Sequence, residues 1–337
     1  MGGGHRRLEV VGFAKVATEP KAHLREVSGV VFREIQVTLG LVKENKGLRN
    51  ILLEAIQAQA GESLSLRRSF LTLIIYQLLG GHLERGVPAG AAIEFFAAAL
   101  DVFDDLEDRD AKTALWRKHG QAQALNAATA LLMLAYGAVA RLRLKGVDDF
   151  TIARATETIA SLGATACAGQ HYDLAWESKP FVSESQYFKM IEMKSGSLME
   201  CACRMGAVVA GADEKTVDSY GLFGRNLGMA AQIMNDTEST QDRQSAKSDL
   251  IKRKKTLPVI FAFSHAEPED RKWLTDLYGQ DIPMEPREEQ RVSQILQRCG
   301  AIHYSVIRAE LYKQKAIQSL KAVSDSIRQT LQAVLSI

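Results

Sequence analysis

The sequence predicts an all-α protein built as a helical bundle around a central buried core. Apolar residues recur at helical spacing along most of the 337 residues. Strand signals are nearly absent, because no sustained alternation of β-branched residues occurs and no Asn-Gly or Asp-Gly turn joins two such runs. The seven prolines fall mostly between the periodic segments. These observations favour helices packed on helices over any fold that contains a sheet.

The periodic segments give the helices in chain order. The predicted helices cover 22–38, 47–60, 66–80, 88–108, 121–145, 148–177, 184–211, 214–240, 256–265, 288–298 and 301–334. The segment 121–145 is apolar on most faces, which predicts burial on all sides. The turn-rich stretch 266–287 is expected to be a surface connection. Residues 1–21 are interpreted as a disordered N-terminal segment, and residues 22–337 as one all-α domain.

Composition excludes several classes of function. The 42 basic and 40 acidic residues nearly cancel, so charge gives no argument for a nucleic-acid partner. The four cysteines are dispersed and are interpreted as free thiols in a reducing cytoplasm. The first ten residues lack the apolar core of a signal peptide, and no uncharged apolar run reaches the roughly 18–20 residues that a membrane span needs. We therefore expect a cytoplasmic protein without a transmembrane segment.

An acidic cluster, "DVFDDLEDRD" at 101–110, follows a long apolar run. Asp104 and Asp108 are four residues apart and share a helix face, while Asp105 lies about 100° around. Like charges at this spacing, near the negative end of a helix, are unfavourable and require a positive partner. Mg²⁺ commonly joins one or two carboxylates to substrate phosphates. The alternative is a solvated acidic helix end.

A second polar region, "AQIMNDTESTQDRQSAKSDLIKRKKTLP" at 231–258, makes the metal interpretation more specific. Asn235, Asp236 and Ser239 offer further oxygen ligands, and a basic cluster follows at 252–255. Two oxygen-rich helix ends and a basic loop are a coherent set for metal ions held between two walls with a polyanion such as diphosphate.

These segments resemble one family in four ordered motifs. "DDLED" resembles the first aspartate-rich motif, DDxxD, of the trans-isoprenyl diphosphate synthases, the polyprenyl synthetase family. "QIMND" with "DLIKRKKTLP" resembles the second motif and the lysine loop after it, and "GQHYDL" at 169–174 and "KSGSL" at 194–198 resemble two signatures between them. A narrower likeness, at 104–128 and 304–320, is to the ComQ-like branch, bacterial isoprenyl transferases that modify a pheromone peptide.

The resemblance implies an isoprenoid synthase type helical bundle with a central apolar pocket, acting as a homodimer on an allylic prenyl diphosphate with three Mg²⁺ ions. It implies Mg²⁺ ligands on two walls, which are Asp104, Asp108, Asn235, Asp236 and Ser239. It implies a catalytic set made of Asp104, Asp105, Asp108, Lys194 and Lys255. The substrate-binding residues implied are Arg68, Phe96, Leu100, Gln170, Asp173, Lys194, Gln232 and Lys255, with Phe96 near the pocket floor.

Three departures from the family pattern concern the acceptor. Relatives that elongate chains bind isopentenyl diphosphate through a Gly-Lys-Arg-x-Arg-Pro stretch, a histidine and an Arg-Arg-Gly segment. Here Ser65 and Ala97 stand at the lysine and histidine positions, the Arg-Arg-Gly segment is missing, and Arg68, with Arg67 beside it, is what remains of the first stretch. The acceptor half of the site is therefore interpreted as dismantled.

The second motif also departs from the usual aspartates, because Asn-Asp-x-x-Ser resembles part of the metal triad of class I terpene cyclases. The glutamate expected next would be at position 243, which is Arg243, so the third metal ligand stays open between this position and Asp242. The preferred hypothesis is transfer of a C10–C20 prenyl cation to a peptide or small-molecule acceptor other than isopentenyl diphosphate. A terpene cyclase is the alternative, followed by ordinary chain elongation and by a silent partner subunit.

Overall fold

The computed structural model describes residues 20–60, 66–108, 115–241, 249–280, 282, 284–321 and 323–335. Within these ranges the chain is all-α, as predicted, and contains no strand. The helices are α1 Pro20–Thr38, α2 Lys46–Ala60, α3 Arg67–Leu78, α4 Leu83–Glu107, α5 Leu115–His119, α6 Gln121–Arg141, α7 Asp149–Glu177, α8 Glu184–Ile191, α9 Ser197–Val209, α10 Glu214–Ser239, α11 Leu257–His265, α12 Pro268–Tyr278, α13 Pro286–Arg298, α14 Ala301–Ser319 and α15 Asp325–Leu335. The predicted segment 1–21 lies almost wholly outside the described residues.

Side-chain caps explain why three of the helices begin where the sequence predicts. Asp148 and Asp213 accept hydrogen bonds from the backbone amides of Thr151 and Thr216, each three residues further on. Ser183 forms a capping box with Gln186 at the start of α8. Each cap satisfies an amide that the first turn of a helix leaves without a partner.

Helix α4 runs through the middle of the main core. Every residue from Gly86 to Ala99 is buried, and the helix packs against α1, α3, α6 and α9. Two helical segments, Leu83–Glu107 and Gln121–Lys145, are long and apolar enough to cross a membrane, but the most apolar window of the first is 83% buried inside the protein and that of the second 44%. Burial on all sides therefore describes α4 better than the segment 121–145, for which we predicted it.

Three sequence predictions need correction. The stretch 266–287 is not a plain surface connection, because α12 lies inside it and buries Leu274, Leu277 and Tyr278. Its prolines mark helix starts, since Pro268 and Pro286 occupy first-turn positions where proline is favoured. The last helix is broken between α14 and α15, and the predicted helix 184–211 is interrupted by a π-helical turn at Glu192–Gly196.

Candidate active site

A cavity of about 880 Å³ opens between α4, α7, α9, α10 and the loop before α11. Its apolar wall includes Leu100, Phe103, Ala166, Leu198 and Met199. Leu100 lies one turn before Asp104 on α4, so the apolar wall gives way to carboxylates towards the end of that helix. The polar groups that line the cavity are Arg68, Asp101, Asp104, Glu107, Asp108, Gln170, His171, Asp173, Tyr187, Lys194, Ser195, Gln232, Asn235, Asp236, Ser239, Asp249, Lys254, Lys255 and Thr256.

Two lysines compensate the acidic end of α4. Lys194 Nζ lies 2.9 Å from Asp104 Oδ1 and 2.8 Å from Asp173 Oδ2, which joins α4 to α7. Lys254 Nζ donates to Asp108 Oδ2, which joins α4 to the loop before α11. The positive partner that the helix-dipole argument requires is thus supplied, within the protein, by lysines from two distant segments.

The titration of these groups follows from their proximity. Burial alone would raise the pKa of Asp173, but Lys194 and Lys254 outweigh it and hold this pKa below its usual value. Burial disfavours the charged form of both lysines, yet the surrounding aspartates raise the pKa of each above its ordinary value. The two ammonium groups therefore stay charged at neutral pH.

The opposite wall, on α10, is organised around Asp236, which is 8% exposed. Its Oδ2 accepts from the Tyr187 hydroxyl and its Oδ1 from Gln232 Nε2, both at 2.7 Å. Ser195 Oγ in turn donates to Gln232 Oε1 at 2.5 Å. Burial and the nearby Asp249 raise the pKa of Asp236 to about 7, although its two hydrogen bonds act in the other direction.

The last turn of α10 adds further oxygen atoms to the same wall. Ser239 Oγ donates to Asp249 Oδ2, and the exposed Asn235 also lines the cavity. Predicted ligands from α4 and α10 therefore face one cavity from two sides, with Asp249 as an additional carboxylate.

The carboxylate, amide and hydroxyl oxygen atoms on the two walls fit Mg²⁺, which takes oxygen ligands. Asp108 Oδ1 is buried and makes no hydrogen bond in the described part of the chain, so this carboxylate has a free coordination position. Within the described ranges, no three histidine, cysteine or acidic side chains form a cluster that could hold a metal ion by themselves. A metal ion would therefore complete its shell with substrate oxygens and water, as Mg²⁺ usually does.

Most of the remaining predicted residues also lie on the cavity wall. Gln170 is notable because both its Oε1 and its Nε2 are buried and neither has a hydrogen-bond partner among the residues that the structure describes. Arg68 and Leu100 line the cavity. Asp105 and Phe96 do not belong to the lining residues. Phe96 is buried beneath them against Gly163, so its predicted role concerns the floor rather than direct contact.

The lysine loop holds the clearest difference from the sequence prediction. Lys255, the predicted diphosphate ligand, lines the cavity, but its Nζ donates 2.5 Å to the Glu177 carbonyl oxygen, and burial lowers its pKa. Its neighbour Lys254 is the lysine that reaches the carboxylate of α4. Arg253 just before it has a positive φ of 54°, so the backbone turns immediately before the two lysines.

Lys254 was within the basic cluster noted in the sequence, but its orientation carries no sequence signal. Asp249 stands in "SDL" directly before that cluster, and its distance from Ser239 in sequence hid their contact. Tyr187 gave no signal, because a tyrosine on an amphipathic helix is indistinguishable from an ordinary core residue.

The π turn at Glu192–Gly196 places Lys194 and Ser195 because two helices approach it closely. A Cβ at Gly169 on α7 would lie 2.3 Å from the backbone nitrogen of Lys194, and one at Gly228 on α10 would lie 2.5 Å from the Ser195 carbonyl oxygen. Only glycine allows such backbone proximity. The turn is thus held between α7 and α10 with Lys194 facing Asp104.

Comparison with known proteins agrees with this geometry. The family model described as polyprenyl synthetase matches residues 50–298. The geranylfarnesyl diphosphate synthase of Aeropyrum pernix is 31% identical over 269 residues, which are 76% of this chain and 82% of the relative. The geranylgeranyl diphosphate synthase of Saccharolobus solfataricus is 28% identical, over 73% of this chain and 76% of the relative.

Solved structures show the same fold. The polyprenyl synthetase from Streptomyces coelicolor A3(2) superposes with a TM-score of 0.81 at 24% identity, covering 94% of this chain and 98% of that one. The geranylgeranyl pyrophosphate synthetase from Pyrococcus horikoshii Ot3 gives 0.75 at 27% identity, with 96% of both chains covered. The motifs, the two-walled cavity and these matches lead to one conclusion: the chain belongs to the polyprenyl synthetase family.

Proposed function

We propose that the protein is a Mg²⁺-dependent enzyme that ionises an allylic prenyl diphosphate and passes the carbocation to an acceptor other than isopentenyl diphosphate. The observation that carries the proposal is the arrangement of the cavity, in which lysines and carboxylates lie at the end of α4 and an apolar wall lies below them. A prenyl diphosphate has the same division between a polyanionic head and an apolar tail.

The chain's own residues would promote ionisation in two ways. Lys194 and Lys254 donate hydrogen bonds to the diphosphate oxygens, which stabilises the charge that develops on the leaving group. Leu100, Leu198 and Met199 enclose the prenyl chain and exclude water that would quench the cation. Asp104 and Asp108 and, opposite them, ligands from α10 would hold Mg²⁺, which would supply Lewis-acid stabilisation of the same charge when bound.

The acceptor claim rests on the charge around Arg68. Relatives in the family place several basic groups on a second diphosphate, but here Arg68 Nη2 lies 3.9 Å from Asp101 Oδ2. The buried Glu94 also acts on Arg68 electrostatically, and Ala97 presents only a methyl group one turn before Asp101. Asp101 offsets part of the charge of this guanidinium, which supports an acceptor without a diphosphate, either an uncharged molecule or a peptide as in the ComQ-like branch.

Two other functions have specific support. Asn235 and Ser239 are neutral where the family usually has aspartates, and this favours a terpene synthase that uses a double bond of its own substrate. The relatives named geranylfarnesyl and geranylgeranyl diphosphate synthases favour chain elongation.

The deciding experiment incubates the purified protein with Mg²⁺ and farnesyl or geranylgeranyl diphosphate, with and without isopentenyl diphosphate. Released diphosphate and prenyl products are measured together by a coupled assay and mass spectrometry. Lys194→Met serves as the control for ionisation. Asp101→Asn is the matched variant for the acceptor, because it removes one negative charge beside Arg68 with little change in size.

Each outcome separates the alternatives. The proposal predicts no elongated diphosphate with the wild-type chain and prenylation of an added peptide or small molecule. A hydrocarbon formed without isopentenyl diphosphate would establish the terpene synthase. Efficient elongation by the wild type, unchanged in Asp101→Asn, would overturn the acceptor argument.

The homodimer and the cytoplasmic location remain predictions, as do the domain bounds 22–337. The dimer has one supporting feature on α6, where Leu125 and Met133 are 53% and 57% exposed and eight residues apart on one face. Light scattering of the wild type and of Met133→Glu would test it, since a charge on this face should shift the molecular mass towards that of the monomer.

A further inference from the structure

A buried ion-pair cluster lies beside the cavity but lines none of it. Its centre is Glu200 on α9, which is 3% exposed. Arg225 on α10 donates to both Glu200 oxygens, from Nε at 2.7 Å and from Nη2 at 3.0 Å, and Arg204 donates to Oε1 at 2.8 Å. A buried carboxylate is tolerated only with such partners, and here it has two.

The two arginines differ in what else they hold. Arg204 uses its Nη2 to reach Asp218 on α10 at 2.7 Å, away from the cavity. Arg225 uses its Nη1 to reach Glu192 Oε1 at 3.2 Å. Glu192 is the first residue of the π turn that carries Lys194, so of these two arginines Arg225 is the one whose guanidinium links Glu200 to the start of that turn.

Arg225 also touches the other end of the same turn. A Cβ placed on Gly196, its last residue, would lie 3.3 Å from Arg225 Cγ and 3.4 Å from the Arg225 carbonyl oxygen. The guanidinium therefore holds the beginning of the turn, while the stem and backbone of the same residue lie against its end. Lys194 and Ser195 lie between these two contacts.

A π turn needs such support because it contains an extra residue and departs from the hydrogen-bond geometry of the flanking helices. Its position here decides where Lys194 Nζ meets Asp104 and Asp173, and where Ser195 Oγ meets Gln232. A slip of the turn would move these groups together.

We propose that Arg225 is a positioning residue, which fixes the π turn from Glu192 to Gly196 and so holds Lys194 at the place where the substrate diphosphate binds. The inference rests on the proposed function, in which Lys194 binds that diphosphate. Arg225 itself is not among the residues that line the cavity.

The test compares Arg225→Met with Arg204→Met, because each removes one arginine from Glu200 and leaves it the other. Binding of Mg²⁺ with inorganic pyrophosphate is measured by isothermal titration calorimetry, alongside the melting temperature. Arg225→Met should weaken binding by about tenfold to a hundredfold, whereas Arg204→Met should change it less than twofold. Equal losses in both variants, or losses that follow the melting temperature alone, would overturn the proposal.

A double-variant experiment asks whether the effect passes through Lys194. In a Lys194→Met background, Arg225→Met should cause no further loss of pyrophosphate affinity. A full additional loss would show that Arg225 acts by another route. Glu192→Gln, which changes a half-exposed side chain and leaves Glu200 paired, should reproduce a smaller loss and keeps the test valid if Arg225→Met fails to fold.

Hydrogen exchange separates this inference from the proposed function. Amides of residues 192–197 should exchange faster in Arg225→Met than in Arg204→Met, whatever the ligand. If wild type and Lys194→Met bind pyrophosphate equally, the role of Lys194 is wrong, and the exchange data still decide whether Arg225 holds the turn. Unchanged exchange in Arg225→Met would refute the proposal that Arg225 holds the turn.

Discussion

Replacing Gly169 by alanine tests whether close backbone packing sets the position of Lys194. The added Cβ would lie 2.3 Å from the backbone nitrogen of Lys194 and 2.7 Å from the Met193 carbonyl carbon. Ordinary contacts begin at about 3.5 Å, so α7 or the π turn must move by about 1 Å. Both colliding groups are backbone, and neither can rotate away.

The expected cost follows from two opposing terms. Overpacking destabilises by about 1–3 kcal/mol, and glycine to alanine in a helix interior stabilises by about 1 kcal/mol. Because the collision is with backbone, we take the upper value and expect a net loss of about 2 kcal/mol, or about 4 °C in melting temperature. Moving Lys194 by about 1 Å should lower turnover by about a hundredfold.

The assay is thermal unfolding together with the release of diphosphate from an allylic substrate. Gly29→Ala is the control, because this residue also lies inside a helix and its nearest neighbour, Arg33 Nη1, is 3.9 Å from the added Cβ. It should gain up to about 1 kcal/mol without loss of activity. A Gly169→Ala protein as stable and as active as the control would refute the packing argument.

Three further predictions concern single side chains. Lys254→Met should weaken binding of Mg²⁺-pyrophosphate by about tenfold or more, since it removes a charged donor. Lys255→Met should weaken it less, because the Lys255 ammonium group already binds a carbonyl oxygen. Calorimetry that gives the reverse order would make Lys255 the main ligand. Burial raises the pKa of Glu94 above 4.5, so the folded state binds more protons there than the unfolded state, and the unfolding free energy falls as pH rises above that value. Urea titrations at several pH values should show a smaller dependence of the unfolding free energy on pH in Glu94→Gln, but not in the variant of an exposed residue, Glu157→Gln. The same pH dependence in both variants would contradict this assignment to Glu94. Arg253→Gly should have a free energy of unfolding about 1 kcal/mol higher than that of Arg253→Ala, because only glycine adopts the positive φ without strain. Equal stability of the two variants would show that the backbone is not strained at this position.

The sequence was a good guide to the helices and to the two walls of the site, for physical reasons. Hydrophobic periodicity reports directly on helices that bury one face, and in the structure the caps Asp148, Ser183 and Asp213 fix three of these helices at the predicted starts. Asp104 and Asp108 were identifiable because four residues of spacing place them on one face whatever the rest of the chain does.

What the sequence could not supply depends on contacts between distant segments. The π turn at Glu192–Gly196 inserts a residue into a continuous apolar pattern, and nothing local distinguishes it from α-helix. The contacts of Lys254 with Asp108 and of Lys255 with the Glu177 carbonyl join segments far apart in the chain, and they follow a turn at Arg253 whose positive φ is unusual for a residue other than glycine. Pro268 and Pro286 look like loop signals in the sequence, because their helix-start role depends on the acidic first turns of α12 and α13 that follow them.

The lysine–aspartate pairs at the cavity mouth also bear on how the cavity empties after a reaction. Lys194 and Lys254 already have carboxylate partners in Asp104, Asp108 and Asp173. In the function proposed above, a diphosphate would have to compete with these partners for the same ammonium groups, so it would be held less tightly than two unpaired lysines would hold it. When it left, each lysine would return to an aspartate rather than to water. The resting ion pairs would thus favour product release and repeated turnover over retention of the leaving group.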